Sequence, residues 1–356
     1  MRSRLSLLQR AALAGSLLAT LTATPQGAGG TLEIEWVDVL GGAATLIVTP
    51  AGESILVDAG WPGFDGRDAK RIKAALDRRG LTSIDHLIVT HYHADHYGGV
   101  PQLAALVPVR SFYDHGPMTE LPEDRRFPEM YAAYRAAAKD TTTTLKPGST
   151  IALKQAGSGP KLTLTVVAAH GEAAGGAATP QNPACATATP QPDDPTDNRR
   201  SVAFVLRYGD FDFYNGADLT GDVEAKLACP VDRVGPVDLY QVTHHGQDNS
   251  NNPELLATLR PTVAVMNNGP RKGGAAETFK RLQALPSLKA LFAIHKNVAT
   301  GPEVNAAPEN TANLTAPAPT AAPEEAHTCV ATGEATAKQF SVLNTRTKET
   351  RTFPVQ

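Results

Sequence analysis

Short apolar runs alternate with turn residues through the first part of the chain. Three runs, at 32–39, 44–48 and 53–57, have the length of strands and are separated by glycine or proline. The segment 68–79 instead places its apolar residues on one face of a helix and ends before a glycine. A further apolar run at 87–90 comes after it. The order strand, helix, strand predicts an α/β fold.

The same patterns continue through the rest of the chain. Apolar runs predict strands, and proline or asparagine at the start of a periodic segment predicts helices. Two segments rich in Ala, Thr and Pro, at 171–195 and 297–325, predict a flexible loop and a loosely packed tail. The remaining predicted strands are 109–113, 149–153, 162–167, 202–208, 211–214, 237–243, 262–267, 340–344 and 350–355, and the remaining helices are 100–106, 128–139 and 252–259.

The first 28 residues differ in composition from the rest of the chain. Arg2, Arg4 and Arg10 precede an apolar run of small residues at 11–23, and proline and glycines come next. This order is typical of a secretory signal peptide cut after Ala23 or Ala28, and a retained N-terminal anchor is the alternative. We predict a periplasmic or secreted protein whose mature chain has no membrane span. The predicted parts are a signal peptide at 1–28, a main domain at 32–296, a low-complexity loop at 297–328 and a C-terminal β-hairpin at 329–356.

Composition and charge narrow the classes of function. The chain has 356 residues, of which 42% are hydrophobic, so it can bury a large core. Its formal net charge is −3, and removing the three arginines of the signal peptide would take it to about −6. A mildly acidic protein is not expected to bind nucleic acid in bulk, although local basic patches are compatible with this charge.

Three cysteines are present, and none lies at zinc-site spacing from another. In an oxidising compartment we expect a disulfide between Cys185 and Cys229, because both lie in proline-containing loops that flank the same pair of strands. Cys329 would then be a free thiol. A chain without any disulfide is the alternative.

Four potential metal ligands come after the apolar run at 87–90 within six residues: His91, His93, Asp95 and His96. Alternate residues of an extended chain lie on one face, so the first two histidines can bind one cation, and the other two side chains can face a second. A polar loop whose histidines only form hydrogen bonds is the alternative. A histidine-rich set without cysteine predicts Zn²⁺, with Mn²⁺ and Fe²⁺ as alternatives.

The pattern H-x-H-x-D-H directly after a strand resembles the signature of the metallo-β-lactamase superfamily. The resemblance implies an αββα four-layer sandwich of metallo-β-lactamase type, with two metal ions and with Asp58 supporting the histidine loop. It assigns seven ligands, all at or just after predicted strand ends: His91, His93 and His170 for the first ion, Asp95, His96 and His244 for the second, and Asp218 between the two.

Two adjacent histidines lie at the end of the strand predicted at 237–243. His244 comes directly after Val-Thr, as His91 does, and is therefore the predicted ligand. His245 is the alternative ligand, or a proton donor, and together with Asp95 it is our candidate catalytic residue. Three further side chains are candidates for contacting the leaving group or a negative charge on the substrate: His115, Arg271 and Lys272.

The order of motifs N-R-R-S, G-A-D-L-T-G-D and V-T-H-H-G over residues 35–295 resembles the extracellular domain of ComEC-type competence proteins and their stand-alone relatives. Three departures are the lack of the transmembrane helices of that family, Ala217 in place of a glycine, and a loop of Ala, Gly and Pro after His170. The resemblance implies a small-molecule or phosphoester substrate, hydrolysed at a phosphoester or phosphodiester bond by metal-activated hydroxide.

Two other functions are compatible with the sequence. One is hydrolysis of a β-lactam, lactone or thioester, for which the aromatic loop at 61–64 would form an apolar wall. The other is a non-catalytic exported binding protein that uses the same fold as a scaffold.

Overall fold

The computed structural model describes residues 30–175, 181–301, 304–315, 318, 322–334 and 337–356. The predicted signal peptide at 1–28 lies outside the described residues. Among the helices of these described ranges, none has both the length and the apolar character needed to cross a membrane.

The first sheet combines strands from the beginning and the end of the described chain. In the described residues it has nine strands, in the order β18-β17-β16-β1-β2-β3-β4-β5-β6. The first six in sequence are β1 (Thr31–Trp36), β2 (Thr45–Val48), β3 (Ser54–Val57), β4 (Ile84–Ile88), β5 (Val109–Asp114) and β6 (Thr142–Thr144). The last three are β16 (Cys329–Glu334), β17 (Gln339–Asn344) and β18 (Glu349–Pro354). Strands β3 to β6 are parallel to one another, whereas the others pair antiparallel.

The second sheet is built from the middle of the chain. Its order over the described residues is β15-β14-β13-β12-β11-β10-β8-β7, and β9 pairs with β8. Strands β11 to β15 are parallel, so their carboxyl ends lie at one edge. The strands are β7 (Thr150–Ile151), β8 (Leu162–Ala169), β9 (Glu172–Ala173), β10 (Ala203–Tyr208), β11 (Phe211–Asn215), β12 (Leu239–Gln241), β13 (Val263–Met266), β14 (Ala290–His295) and β15 (Thr311–Asn313).

Seven α-helices in the described residues cover the outer faces of the two sheets. They are α1 (Arg67–Asp77), α2 (Ala94–Tyr97), α3 (Val100–Ala104), α4 (Phe127–Ala137), α5 (Gly221–Ala228), α6 (Pro253–Leu259) and α7 (Ala276–Gln283). The N-terminus of α6 is capped by Asn252, whose side chain accepts a hydrogen bond from the Leu255 amide, as its sequence predicts.

Successive residues of a strand point to opposite faces, and this alternation produces three hydrophobic layers. Ile55 and Phe204 belong to the central layer between the sheets. Leu56 packs outward with the helices of the first sheet, and Val205 packs outward with those of the second. The architecture is therefore the αββα sandwich that the sequence predicted.

Two parts of the sequence prediction need correction. The tail predicted to be loosely packed contains β15, whose Asn313 side chain donates hydrogen bonds to the carbonyls of Ile294 and His327. The loop predicted at 171–195 contains a short helical turn, Pro183–Thr187, which carries Cys185. The predicted disulfide between Cys185 and Cys229 is confirmed, and Cys329 is a buried free thiol.

Candidate metal centre

The candidate site lies where the carboxyl ends of strands from both sheets meet. Asp58 comes after β3, the histidine motif after β4, Asp218 after β11, and His244 and His245 after β12. The carboxyl ends of parallel strands lie at one edge of a sheet. Because the two sheets face each other, these two edges lie close together. Residues far apart in sequence therefore converge on one cleft.

Four side chains form the core of the cleft, and we call them the Asp/His group: Asp95, His96, Asp218 and His245. Each is buried, and each offers one ligand atom within 4.8 Å of the other three. The Nε2 atom of His96 is 3.2 Å from Asp218 Oδ2 and 3.3 Å from Asp95 Oδ2. The Nε2 atom of His245 is 3.3 Å from Asp95 Oδ2 and 3.4 Å from Asp218 Oδ2.

In both imidazole rings of the group, hydrogen bonds to the Nδ1 atom fix the orientation of the ring. The Nδ1 atom of His96 is hydrogen-bonded to Asp58 Oδ2 at 2.8 Å, the supporting role expected of Asp58. Asp58 also accepts hydrogen bonds from the Thr90 amide and hydroxyl. The Nδ1 atom of His245 lies 3.1 Å from the Asn267 carbonyl oxygen, to which it donates. Such partners on one ring nitrogen direct the other nitrogen toward a metal.

Interactions within the group favour ionised carboxylates and protonated imidazole, although the side chains are buried. Burial opposes ionisation of Asp95, but Lys272 and His96 outweigh it and hold the pKa of this carboxyl well below its usual range. Burial would likewise lower the pKa of His96, but three carboxylates, led by Asp218, raise it well above the usual value. Two ionised carboxylates thus face two imidazoles, and this donor set fits a divalent cation that would displace the imidazole protons.

A second, smaller set of donors lies beside the group, and we call His91 and His93 the histidine pair. The Nε2 atom of His91 is 3.0 Å from Nδ1 of His93. Each ring is contacted on its other nitrogen, His91 by the Thr90 hydroxyl at 3.1 Å and His93 by Glu123 Oε1 at 3.3 Å. Burial, followed by the neighbouring His96 and His93, places the pKa of His91 well below its usual value. Neutral imidazole is the form that binds metals, so the pair is suited to a cation.

Of the two adjacent histidines, the structure places His245, the alternative ligand, and not His244 in the Asp/His group. Both residues have left-handed backbone angles, with φ of 55° and 52°, in a tight turn after β12. The turn aims His245 into the group. His244 lies at its margin, with Nε2 3.6 Å from Asp218 Oδ2 and Nδ1 3.0 Å from the Ser250 hydroxyl. Burial lowers the pKa of His244 to about 4.

The position of His170 also differs from the prediction. It comes directly after β8 with a φ of 58°, is exposed, and lies outside the Asp/His group. Its ring centroid is 5.6 Å from that of His115. The left-handed turn at the strand end directs His170 to this neighbour, and the ligand role of His170 stays a prediction.

Two acidic residues that the sequence analysis did not single out connect to the histidine motif. Asp197 is buried, and its Oδ2 atom accepts a hydrogen bond from the Tyr92 amide at 2.7 Å and lies 3.1 Å from His115 Nε2. The Asp197 amide donates to Glu123 Oε1, the atom that contacts His93. The one available signal was the polar run around 197–200 before β10.

A lysine from a distant loop contacts the Asp/His group. The Nζ atom of Lys272 is paired with Asp95 Oδ2, and it lies 5.1 Å from the centroid of the Trp61 ring. Trp61 is half-buried, whereas Phe64 is 56% exposed. Arg271, the other cation of the loop, is exposed.

Residues 37–178 match the family model of the metallo-beta-lactamase superfamily. Over these residues the chain is similar to that superfamily. Similarity to Recombination protein 2 of Haemophilus influenzae extends over 242 residues at 26% identity, 67% of this chain and 24% of that protein. A UPF0173 metal-dependent hydrolase of Cupriavidus necator is 39% identical over 89 residues, 23% of this chain and 26% of the relative. The matched part is thus about a quarter of the length of either relative.

Among solved structures, the metallo hydrolase Igni18 of Ignicoccus hospitalis is similar over 73% of this chain and 94% of its own. The sequence identity is 13% and the TM-score is 0.41.

Proposed function

We propose that this protein is an exported metal-dependent hydrolase that cleaves phosphoester or phosphodiester bonds. The observation that carries the proposal is the convergence of Asp95, His96, Asp218 and His245 within 4.8 Å at the meeting edge of two sheets. Carboxylate oxygens and imidazole nitrogens are the donors that catalytic zinc uses in proteins. We propose Zn²⁺ as the metal, and two ions as the number, with Mn²⁺ and Fe²⁺ as alternatives.

The residues around the cleft have separate tasks in this proposal. A divalent cation in the Asp/His group would lower the pKa of water and polarise the bond under attack. Asp218 and Asp95 would supply the negative charge that holds the cation, and Asp58 and the Asn267 carbonyl would keep the two imidazoles oriented toward it. The histidine pair would hold the second cation. Asp95 and His245, our candidate catalytic residues, would therefore act as ligands.

The choice of a phosphodiester rests on sequence similarity. The alignment with a protein named for recombination covers 67% of this chain. The order of motifs along the chain, which resembles that of ComEC-type proteins, supports the same choice. A phosphodiester would also place a negative charge close to the bound cations, which favours its binding there.

The proposal is tested by a substrate panel on the purified full chain loaded with Zn²⁺. We expect hydrolysis of bis(p-nitrophenyl) phosphate that is lost on chelation and restored by metal. His245→Ala should lower the rate by about 1,000-fold, since even the supporting partners of metal ligands commonly cost 10–100-fold. His327→Ala, at a histidine in a pocket with Glu33 and Arg78, is the matched control and should leave the rate unchanged.

The panel also includes a monoester, a thioester, a lactone and a β-lactam. Turnover of one of the last three without turnover of any phosphoester would overturn the substrate class. If no compound is hydrolysed in a metal-dependent way that His245→Ala abolishes, the protein is not a hydrolase of this kind.

Export is supported by the composition of residues 1–28 and by the disulfide between Cys185 and Cys229. Disulfides persist in oxidising compartments and are rare in the cytosol. Expression of the full chain in a secretion-competent bacterium, followed by fractionation and N-terminal sequencing, tests this part. We expect a periplasmic or secreted product that begins after Ala23 or Ala28. A cytosolic product that retains Met1 would contradict it.

A further inference from the structure

The loop between β13 and α7 places one ammonium group at the Asp/His group. The Nζ atom of Lys272 is paired with Asp95 Oδ2, and its side chain is 31% exposed, so it borders the group and is also accessible to solvent. The ring of Trp61 lies 5.1 Å from Nζ on another side. The face of an indole ring attracts a cation, so Trp61 helps to hold the ammonium group at the mouth of the cleft.

The backbone that carries Lys272 is fixed by close packing. A Cβ atom on Gly269 would lie 2.9 Å from the Cα atom of Gly41, so only glycine allows this approach. Gly273 has a φ of 72°, and a Cβ atom there would lie 2.1 Å from the His245 carbonyl oxygen. That oxygen accepts a hydrogen bond from the Gly274 amide. The loop is thus attached to the residue that completes the Asp/His group, and it sets the position of Lys272 relative to it.

Asp95 is shared among several positive or potentially positive groups. Its Oδ2 atom faces Lys272 Nζ, and it lies 3.3 Å from each of the Nε2 atoms of His96 and His245. A carboxylate that ligates a divalent cation has less negative charge left for an ammonium group. Lys272 would then be a cation at the edge of the cleft, held by Trp61 and available to an anion.

We propose that Lys272 is a substrate-binding residue that makes the site selective for anionic esters. Its ammonium group would bind an unesterified oxygen of the substrate phosphate while the ester bond lies at the Asp/His group. Lysine binds phosphate as a point charge, which suits a single contact of this kind. The inference rests on the proposed hydrolase function and adds the residue that distinguishes charged from neutral substrates. The adjacent Arg271 is exposed, and we do not expect it to contribute.

Inorganic phosphate binding tests the inference independently of catalysis. Calorimetry on the zinc-loaded full chain should show that Lys272→Met weakens phosphate binding by about tenfold, whereas the matched control Arg271→Met changes it by less than about twofold. Lys272→Arg should retain most of the affinity because it keeps the charge. Zinc content is measured for each variant, since Lys272 contacts Asp95. If the methionine variant does not fold, Lys272→Gln takes its place.

A kinetic comparison provides the second readout. For bis(p-nitrophenyl) phosphate, Lys272→Met should raise KM about tenfold with a smaller change in kcat, and hydrolysis of the neutral ester p-nitrophenyl acetate should be unaffected. Unchanged phosphate binding in a folded, zinc-loaded Lys272→Met protein whose parent hydrolyses diesters would overturn the role of Lys272 alone. Phosphate binding that depends on Lys272 in a protein without diester hydrolysis would overturn the proposed function alone.

Discussion

The Asp/His group and the histidine pair lie side by side, yet they are built in different ways. The group draws its donors from three chain segments and both sheets, and its two imidazoles are fixed by Asp58 and the Asn267 carbonyl. The pair comes from a single segment after β4, and it is supported by Thr90 and Glu123. His170, the residue expected to complete it, lies beside His115 instead.

The difference shows that a ligand motif does not by itself set how many potential donor atoms meet in the folded chain. Four donors with two carboxylates converge in the group, whereas the pair offers two imidazole nitrogens 3.0 Å apart. More donors and more negative charge give tighter binding of a divalent cation. We therefore expect two unequal metal positions, with the Asp/His group as the tighter one.

The largest effect is expected from removing one histidine from each region. His96→Ala should lower the affinity for the more tightly bound Zn²⁺ by about 1,000-fold, because it removes an expected ligand that Asp58 orients. His93→Ala should leave that ion in place and release the weaker one. Competition with a chromophoric chelator measures both affinities, and thermal unfolding checks that the variants are folded. If His93→Ala lost both ions equally, the two regions would not bind metal with different affinities, and the prediction would be wrong.

An intermediate effect concerns a buried carboxyl group close to the turn that carries His245. Glu224 is buried, accepts a hydrogen bond from the Asn252 amide at 2.8 Å, and has its pKa raised by burial to about 7. Because this exceeds the unfolded value of 4.5, the folded protein binds the proton more tightly. The stabilisation is complete below pH 4.5 and is lost as the pH rises to about 7. It amounts to at most about 3 kcal/mol.

Glu224→Gln should remove this contribution to the pH dependence. Urea unfolding of the zinc-loaded parent and variant at pH 5, 6, 7 and 8 measures it, and the difference between the two proteins cancels the contribution of metal binding. We expect the free energy of unfolding of the parent, relative to the variant, to fall between pH 5 and 7 and then to level off. A constant difference would show that Glu224 is not protonated in the folded state.

The smallest effect is expected from His170→Ala. An exposed side chain outside the Asp/His group should change stability by no more than about 0.5 kcal/mol. Metal content, measured by mass spectrometry of the metal ions after dialysis, should equal that of the parent. Loss of the more weakly bound ion in this variant would show that His170 binds this ion together with the histidine pair.

Local sequence was sufficient for the parts of the site that one segment builds. The apolar run before His91 and the spacing of the motif predicted a strand followed by ligands. Asp58 and Asp218, which also follow strands, were assigned through the family resemblance. The layers of the sandwich result from alternation within strands such as β3 and β10.

The other parts of the site depend on contacts between residues that are far apart in sequence. The choice between His244 and His245 depends on a left-handed turn and on the Asn267 carbonyl, neither of which the sequence V-T-H-H-G reveals. Glu123 and Asp197 come from separate loops and meet only in the folded chain. The strand β16 was missed because its pattern is weak, and its pairing with β1 defines it.

The pairing of β1 with β16 has a consequence for the order of folding. Thr31 lies opposite Glu334 and Trp36 lies opposite Cys329, so an interior position of the first sheet is occupied by a late segment of the polypeptide. Closing so large a loop is entropically costly and slows folding. During synthesis, β1 has an unpaired edge until residues 329–334 emerge. The first sheet therefore cannot be completed until these last residues have been synthesised.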